Sequence, residues 1–293
     1  MSDHSERPDA TRYTSQIAAR YGNGVTDTHA VPQDEETATR NATIDSLLSR
    51  RSCRRYTDEP VSDALFGLLV ACAQSAPTKS NLQQYSIIHI KDPAQRAALA
   101  PLCPKTPQLA GCPVLLIFCA DLARNQRLTE SRGYSFANAH MDGLINGVID
   151  AAMAMQCFIT AAESIGLGCA AISEIRDDIV AISDILGLPE GVMPIAGLTA
   201  GWPADPGYIN QRLPAEIVLH RDRYDTADEA DKIADYDRRR HAIFATPPAR
   251  QLHTDRYGTC DYYPWSENLA RQMSIRERDN LSGFLRRQGF ALD

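Results

Sequence analysis

Pro113-Val114-Leu115-Leu116-Ile117-Phe118-Cys119-Ala120 is an unbroken apolar run with no polar position in it. A strand with one wet face alternates apolar and polar residues, so a continuous run predicts a strand buried on both faces. Three further segments read as strands: Tyr85-Ser86-Ile87-Ile88-His89-Ile90, the short Cys169-Ala170-Ala171-Ile172, and Val192 to Trp202, closed by Pro203. Helical patterns lie between them, but too few strands alternate with single helices for a doubly wound sheet. The pattern predicts an α+β fold.

The helices have readable ends. Thr43 is a candidate N-cap for a helix through Ile44, Leu47 and Leu48. Ser62 can cap the next, with Leu65, Leu68, Leu69 and Cys72 on one face and Pro77 beyond its end. Lys91-Asp92-Pro93 turns into a helix through Leu99 and Leu102. From Asn138 to Ile165 the pattern is apolar around most of the circumference, as in a helix buried on several sides or between subunits. Gly166-Leu167-Gly168 ends it. Further helices are expected through Ile179, Ile182, Ile185 and Leu186, and from Asp228 to Phe244. The tail should bury Trp265, Leu269, Met273, Leu281 and Leu285. Residues 1–42 read as a polar extension that either wraps the surface or is partly mobile.

Composition narrows the function. The formal net charge of −7 argues against nucleic acid as a main partner. No apolar run looks close to the roughly 20 residues of a membrane span, and the N-terminus lacks a signal-peptide core, so a cytoplasmic protein without a membrane is expected. The eight cysteines form no C-x-x-C pair, and Cys72, Cys119, Cys157 and Cys169 have the apolar surroundings of reduced core residues. The scattered histidines include no H-E-x-x-H, so no metal is expected. No G-x-S-x-G elbow is present. Gly22-Asn23-Gly24 and Gly166-Leu167-Gly168 match only part of a dinucleotide fingerprint.

Two segments carry chemistry. Arg50-Arg51-Ser52-Cys53-Arg54-Arg55-Tyr56 holds four arginines and a serine. A guanidinium is a rigid fork of donors that grips phosphate with two parallel bonds, so a phosphate-bearing ligand is indicated. Pro77-Thr78-Lys79-Ser80-Asn81-Leu82-Gln83-Gln84 is a second polar stretch, placed before a strand.

These residues resemble the nitroreductase / flavin reductase family of FMN enzymes. The resemblance rests on Arg50-Arg51-Ser52-x-Arg54, then Ala76-Pro77-Thr78-Lys79-Ser80-Asn81-Leu82-Gln83, then Gly166-Leu167-Gly168 with Ile172-Ser173-Glu174-x-Arg176, then Gly201-Trp202-Pro203 with Arg212-Leu213-Pro214. The tail from Trp265-Ser266 to Arg286-Arg287-Gln288-Gly289-Phe290 is similar to the NADPH-using branch.

The resemblance implies a nitroreductase-like fold with a central mixed or antiparallel sheet, spanning residues 43–293 with a C-terminal helical arm. It implies an intertwined homodimer with one FMN at each of two interfaces. Arg50, Arg51, Ser52 and Arg54 would surround the FMN phosphate, ribityl chain and pyrimidine edge, and Arg212 would join the phosphate. Pro77, Thr78, Lys79, Ser80, Asn81 and Gln83 would come from the other subunit. Ile172 and Ser173 would pack near the isoalloxazine, with a main-chain N–H near Glu174 facing flavin N5. No protein side chain is then a catalytic acid or base; hydride from NAD(P)H, NADPH above all, passes through flavin N5 to a nitroaromatic, quinone or flavin in ping-pong order. A reductase of one dedicated substrate and a non-catalytic flavin binder stay open as alternatives.

The chain departs from the family in three places. Ser173-Glu174 stands where the NADPH branch has two glycines, Asn210-Gln211 replaces a phosphate-binding lysine, and Thr106 stands where a glutamine often contacts flavin. Arg250, Arg256 and Arg278 are candidates for the nucleotide phosphate.

Overall fold

The computed structural model describes residues 11–22 and 41–292. Most of the extension, including Asn23-Gly24, lies outside the described residues. In chain order the elements are α1 (Thr11–Tyr21), α2 (Ala42–Ser49), α3 (Asp63–Gln74), β1 (Tyr85–His89), α4 (Pro93–Leu99), β2 (Val114–Asp121), α5 (Ala123–Ser131), α6 (Met141–Ser164), β3 (Gly168–Ile172), α7 (Ile179–Leu186), β4 (Val192–Gly201), α8 (Glu229–Ile243), α9 (Trp265–Met273) and α10 (Leu281–Arg287). The chain divides into two compact units. One holds Ile209–Arg276 with the described residues up to Arg50; the other holds Arg51–Tyr208 and Glu277 onward.

The larger unit is built on a four-stranded sheet in the order β1-β2-β4-β3, antiparallel throughout. Every residue of β2 is buried, as its sequence requires. Alternate side chains point to opposite faces. Leu116, Phe118 and Ala120 join a core with Ala151, Ala154, Phe158 and Ala162 of α6 and Phe284 of α10. Leu115, Ile117 and Cys119 join a second core with Leu99, Ile175 and Ile182. The same unbroken run therefore nucleates both cores.

Capping explains the helix starts. Ser62 Oγ accepts from the Leu65 N–H at 3.2 Å, as expected. The cap of α2 is Asn41 rather than Thr43: its Oδ1 accepts from the Thr43 and Ile44 N–H groups at 3.0 and 3.1 Å. Asn41 holds the extended conformation a cap needs, which leaves Thr43 inside the first turn. Two further expectations need correction. Leu68 is 59% exposed, because α3 buries Leu69 and Ala73 instead, and in α9 Leu269 and Met273 are exposed. By length and composition α6 is long and apolar enough to cross a membrane, contrary to the sequence reading; its core-facing residues from Gly143 to Ala162 pack against β2 and α3.

The smaller unit is helical. Tyr236 and Tyr263 are buried at its centre, and Tyr236 meets the Trp265 ring edge-on at 5.6 Å. Asp237 accepts from the Ser266 N–H at 3.1 Å and so satisfies a donor in the first turn of α9. Arg271 is buried with its guanidinium donating to the Gly258 and Leu252 carbonyls and to Glu267. Arg20 on α1, also buried, donates to the Leu48, Arg50 and Asn210 carbonyls and accepts at its own carbonyl from the Arg212 N–H.

None of the eight cysteines is in a disulfide. Cys119 and Cys169 are buried as expected, whereas Cys72 and Cys157 are only partly buried. Burial pushes the Cys103 and Cys112 thiols up to about 11 and Cys119 up to about 12. A thiol reacts as its thiolate. Alkylation of the folded protein at pH 8 should therefore spare Cys103, Cys112 and Cys119, and peptide mass spectrometry reads the pattern. Their modification ahead of the partly buried Cys72 and Cys157 would contradict this packing.

Candidate active site

The arginine segment runs along the outer edge of β3. Ser52 pairs with Cys169 in a parallel bridge, and the Cys53 N–H donates to the Cys169 carbonyl at 2.9 Å. This approach depends on Gly168. A Cβ there would lie 2.4 Å from the Cys53 Cβ and 2.7 Å from its sulfur. The segment is also anchored further on, where the Tyr56 hydroxyl lies 2.6 Å from the Cys53 carbonyl and 2.8 Å from Thr199 Oγ1. Burial drives the Tyr56 pKa well above the ordinary phenol value, so this hydroxyl stays protonated as a strut.

Arg51 and Arg54 are left exposed and Ser52 half-buried on this edge. Arg51 Nε donates to the Pro206 carbonyl. Arg55 turns away to pair with Asp205 at 3.2 Å, a surface contact worth little by itself.

At its far end β3 delivers a short 3-10 turn, Glu174–Arg176, preceded by Ser173. The first N–H groups of a helical turn have no acceptor within it and are available to a ligand. Ser173 is exposed; Ile172 is 1% exposed and its side chain packs in the core against Gly197, so it can offer a ligand only its main chain. The Glu174 carboxylate is turned inward, accepting from the Lys105 N–H at 2.8 Å and the Thr106 hydroxyl at 2.9 Å. Arg176 donates to the Ile195 carbonyl from below, and burial, followed by the Arg278 charge, holds its pKa under the usual arginine value. Arg278 pairs with Asp177 at 2.8 Å, which ties it to this turn.

The second polar stretch lies elsewhere in the chain. It leads into β1, at the opposite edge of the sheet from β3. Two strands intervene, so roughly 14 Å separates the edges at the usual spacing. Ser80, Asn81 and Gln83 hold φ values of 49°, 58° and 51°, a left-handed conformation unfavourable to non-glycine residues. What holds them is Asp150, 1% exposed on α6: one carboxylate oxygen accepts from the Lys79 N–H and the other from the Gln84 N–H, each at 3.0 Å. Arg124 and Asn125 add bonds to the Gln83 and Leu82 carbonyls. Pro77, Lys79, Ser80, Asn81 and Gln83 are consequently displayed outward, with Thr78 half-buried.

Within the larger unit Ser52 therefore lies on the edge of β3, the strand that leads into Ser173 and Glu174, with Arg51 and Arg54 flanking it in sequence, and Pro77 to Gln83 lead into the opposite edge of the sheet. Arg50 and Arg212 belong to the smaller unit, where Arg20 ties their main chains together. Asp150 and Arg20 were not anticipated from sequence. An aspartate inside the apolar run Ile149-Asp150-Ala151 was a legible signal; nothing marked Arg20.

Two substitutions test this scaffold. Gly168→Ala should destabilise by about 1–3 kcal/mol through overpacking against Cys53, measured by denaturant unfolding; a wild-type midpoint would mean that the segment is not held there. Asp150→Asn offers one acceptor where two are needed and should cost about 1–3 kcal/mol. Hydrogen exchange at the Lys79 and Gln84 amides should accelerate with it, and unchanged exchange at both would remove Asp150 from this role.

Comparison with known proteins identifies the family. The nitroreductase family model matches residues 47–202, and the model of the nitroreductase family C-terminal domain matches residues 210–293. An oxygen-insensitive NADPH nitroreductase of Salmonella typhimurium is 37% identical over 85% of this chain and 98% of its own length. An FMN reductase (NADPH) of Bacillus subtilis is 32% identical over 85% and 98%. Among solved structures, B. megaterium NfrA2 has a TM-score of 0.78 at 30% identity, covering 87% of this chain and all of that one. The NADPH:FMN oxidoreductase of Vibrio harveyi, complexed with NAD+, has a TM-score of 0.75 at 25% identity, covering 86% and 99%. With one family model spanning the sheet and the other the C-terminal helices, the chain belongs to the nitroreductase family.

Proposed function

We propose that this protein is an FMN-dependent oxidoreductase that moves hydride from NAD(P)H, with NADPH the preferred donor, to nitroaromatic, quinone or flavin acceptors. The observation that carries the reading is the Ser52–Cys169 bridge. It sets guanidinium groups along the same strand edge that ends in the Ser173–Glu174 turn. The group of residues fits a flavin nucleotide chemically. Arg51 and Arg54 offer charged donors suited to phosphate and to the electron-rich pyrimidine edge, Ser52 offers a hydroxyl, and the turn offers main-chain N–H donors. Arg50 and Arg212 are assigned to the phosphate as well.

FMN, when bound, supplies the redox chemistry at its N5. The chain's own task is to bind and orient. A main-chain N–H near Glu174 suits that task because it neither titrates nor rotates away. The Glu174 carboxylate is occupied by Lys105 and Thr106, so it does not serve as an acid or base. NAD(P)H and the acceptor would use one open face in turn, which gives a ping-pong order.

The same reading makes the protein a homodimer. Pro77 to Gln83 sit at the sheet edge opposite the arginine segment, so a second copy is the natural source of that segment at the flavin. The outer face of α6 presents Ile145, Ile149 and Met153, respectively 47%, 49% and 37% exposed, a stripe suited to burial against a copy of itself. The extension 1–42 is assigned to wrapping the surface and residues 43–293 to the flavin domain, in the cytoplasm, where NADPH is regenerated. A second reading, a reductase dedicated to one substrate, is favoured by the Glu174–Thr106 contact.

Anaerobic stopped-flow mixing with NADPH tests the function. Rapid bleaching of the bound flavin, reversed on adding a quinone, is the expected result. A coloured protein that NADPH does not bleach would be a flavin binder without turnover, and a colourless protein that takes up no FMN would refute the reading altogether. Arg54→Ala should weaken FMN binding by about tenfold or more, the worth of a charged hydrogen bond.

A further inference from the structure

Two of the chain's departures from its family turn out to be one device. Thr106 and Glu174 are 68 positions apart in sequence, yet the Thr106 hydroxyl donates to Glu174 Oε2 at 2.9 Å. The other carboxylate oxygen accepts from the Lys105 N–H at 2.8 Å. Glu174 itself is 6% exposed. A pair of glycines at 173 and 174 would have no side chain to make either bond, and a glutamine at 106 would meet this carboxylate with a longer, softer side chain. The remaining ties of the loop are mostly its own: the Thr106 N–H and hydroxyl each reach the Cys103 carbonyl, at 3.1 and 3.2 Å. One exposed ion pair, Lys105 Nζ to Asp177 at 3.6 Å, adds a weak external contact.

On the other side of the turn, Arg278 holds Asp177 at 2.8 Å from a left-handed backbone position, φ 59°. Ile175 is fully in the core. The turn is thus fixed at Ile175, Arg176 and Asp177, and Glu174 makes the two hydrogen bonds that join Lys105 and Thr106 to it, beside the Lys105–Asp177 ion pair and the burial of Cys103 in the core that holds Ile175.

We infer that Glu174 is a positioning residue: its buried carboxylate clamps the Cys103–Thr106 loop to the Ser173–Arg176 turn and so fixes the direction of the Glu174 main-chain N–H. The inference rests on the FMN reading above, since that N–H matters only if a flavin faces it. A buried carboxylate with two short donors is a stiff support, and losing one charged hydrogen bond is enough to loosen it.

Thr106→Val, Thr106→Ser and Glu174→Gln in the purified holoenzyme test it, with FMN dissociation constant and reduction potential of the bound flavin as readouts. Thr106→Val and Glu174→Gln should each weaken FMN binding by about three- to tenfold and shift the potential. Thr106→Ser keeps the hydroxyl and should restore both. The double variant should be no worse than the worse single, because both remove the same support. Variants that lose only thermal stability, with wild-type flavin affinity and potential, overturn the inference, as do two effects that multiply independently. A wild-type protein that takes up no FMN overturns the functional reading first, and that result is visible before any variant is made.

Discussion

A missing methyl group holds the site together. Gly168 lets the main chain of Cys53 lie against β3, and any larger residue would place an atom 2.4 Å from the Cys53 Cβ. Because that approach is possible, a segment rich in guanidinium groups becomes an extra ribbon on a sheet edge. Beyond Cys53 the ribbon continues to Tyr56, which bridges Pro203 past the start of β3, while β3 itself ends at the Ser173–Glu174 turn. Without that approach, Arg51, Ser52 and Arg54 would be held only through Tyr56 and the Arg51–Pro206 contact, and ordering them on a ligand would cost more side-chain entropy.

Buried charge is used here for holding rather than for reacting. Asp150 takes two main-chain donors at the ends of a left-handed loop, Glu174 takes one main-chain N–H and one hydroxyl at the base of a turn, and Asp237 takes the N–H and hydroxyl of Ser266 at a helix start. Each carboxylate satisfies donors that burial would otherwise leave unpaired. The donors left outward at the candidate site are guanidinium, hydroxyl and main-chain groups. Such a division suits chemistry done by a cofactor, with the protein supplying orientation and charge.

Much of the fold could be read from the sequence because the strongest signals were local. The unbroken run at Val114–Asp121 and the Ser62 cap depend on neighbours within a few residues, and both appear as expected. The exposure of Leu68 could not be read, since helical spacing cannot tell two adjacent apolar faces apart when α6 covers only one of them. Arg20 illustrates a harder limit: its partners are carbonyls at Leu48, Arg50 and Asn210, and backbone acceptors leave no trace in residue identity. At the site, residue types were legible from motif order, whereas their division between two edges of one sheet follows from the strand order β1-β2-β4-β3. The union of Thr106 with Glu174 was invisible for the same reason, each residue being unusual alone and informative only in contact.

Orientation of a flavin at this edge depends on a single direction, that of the Glu174 main-chain N–H at the end of β3. A crystal structure of the FMN-loaded protein measures it. The flavin N5 should lie about 3 Å from the Glu174 nitrogen, at hydrogen-bond distance, with the phosphate among the arginine side chains and Pro77 to Gln83 of a second copy at the ring edge. A flavin bound elsewhere on the chain, or one whose N5 faces solvent at this edge, would contradict it.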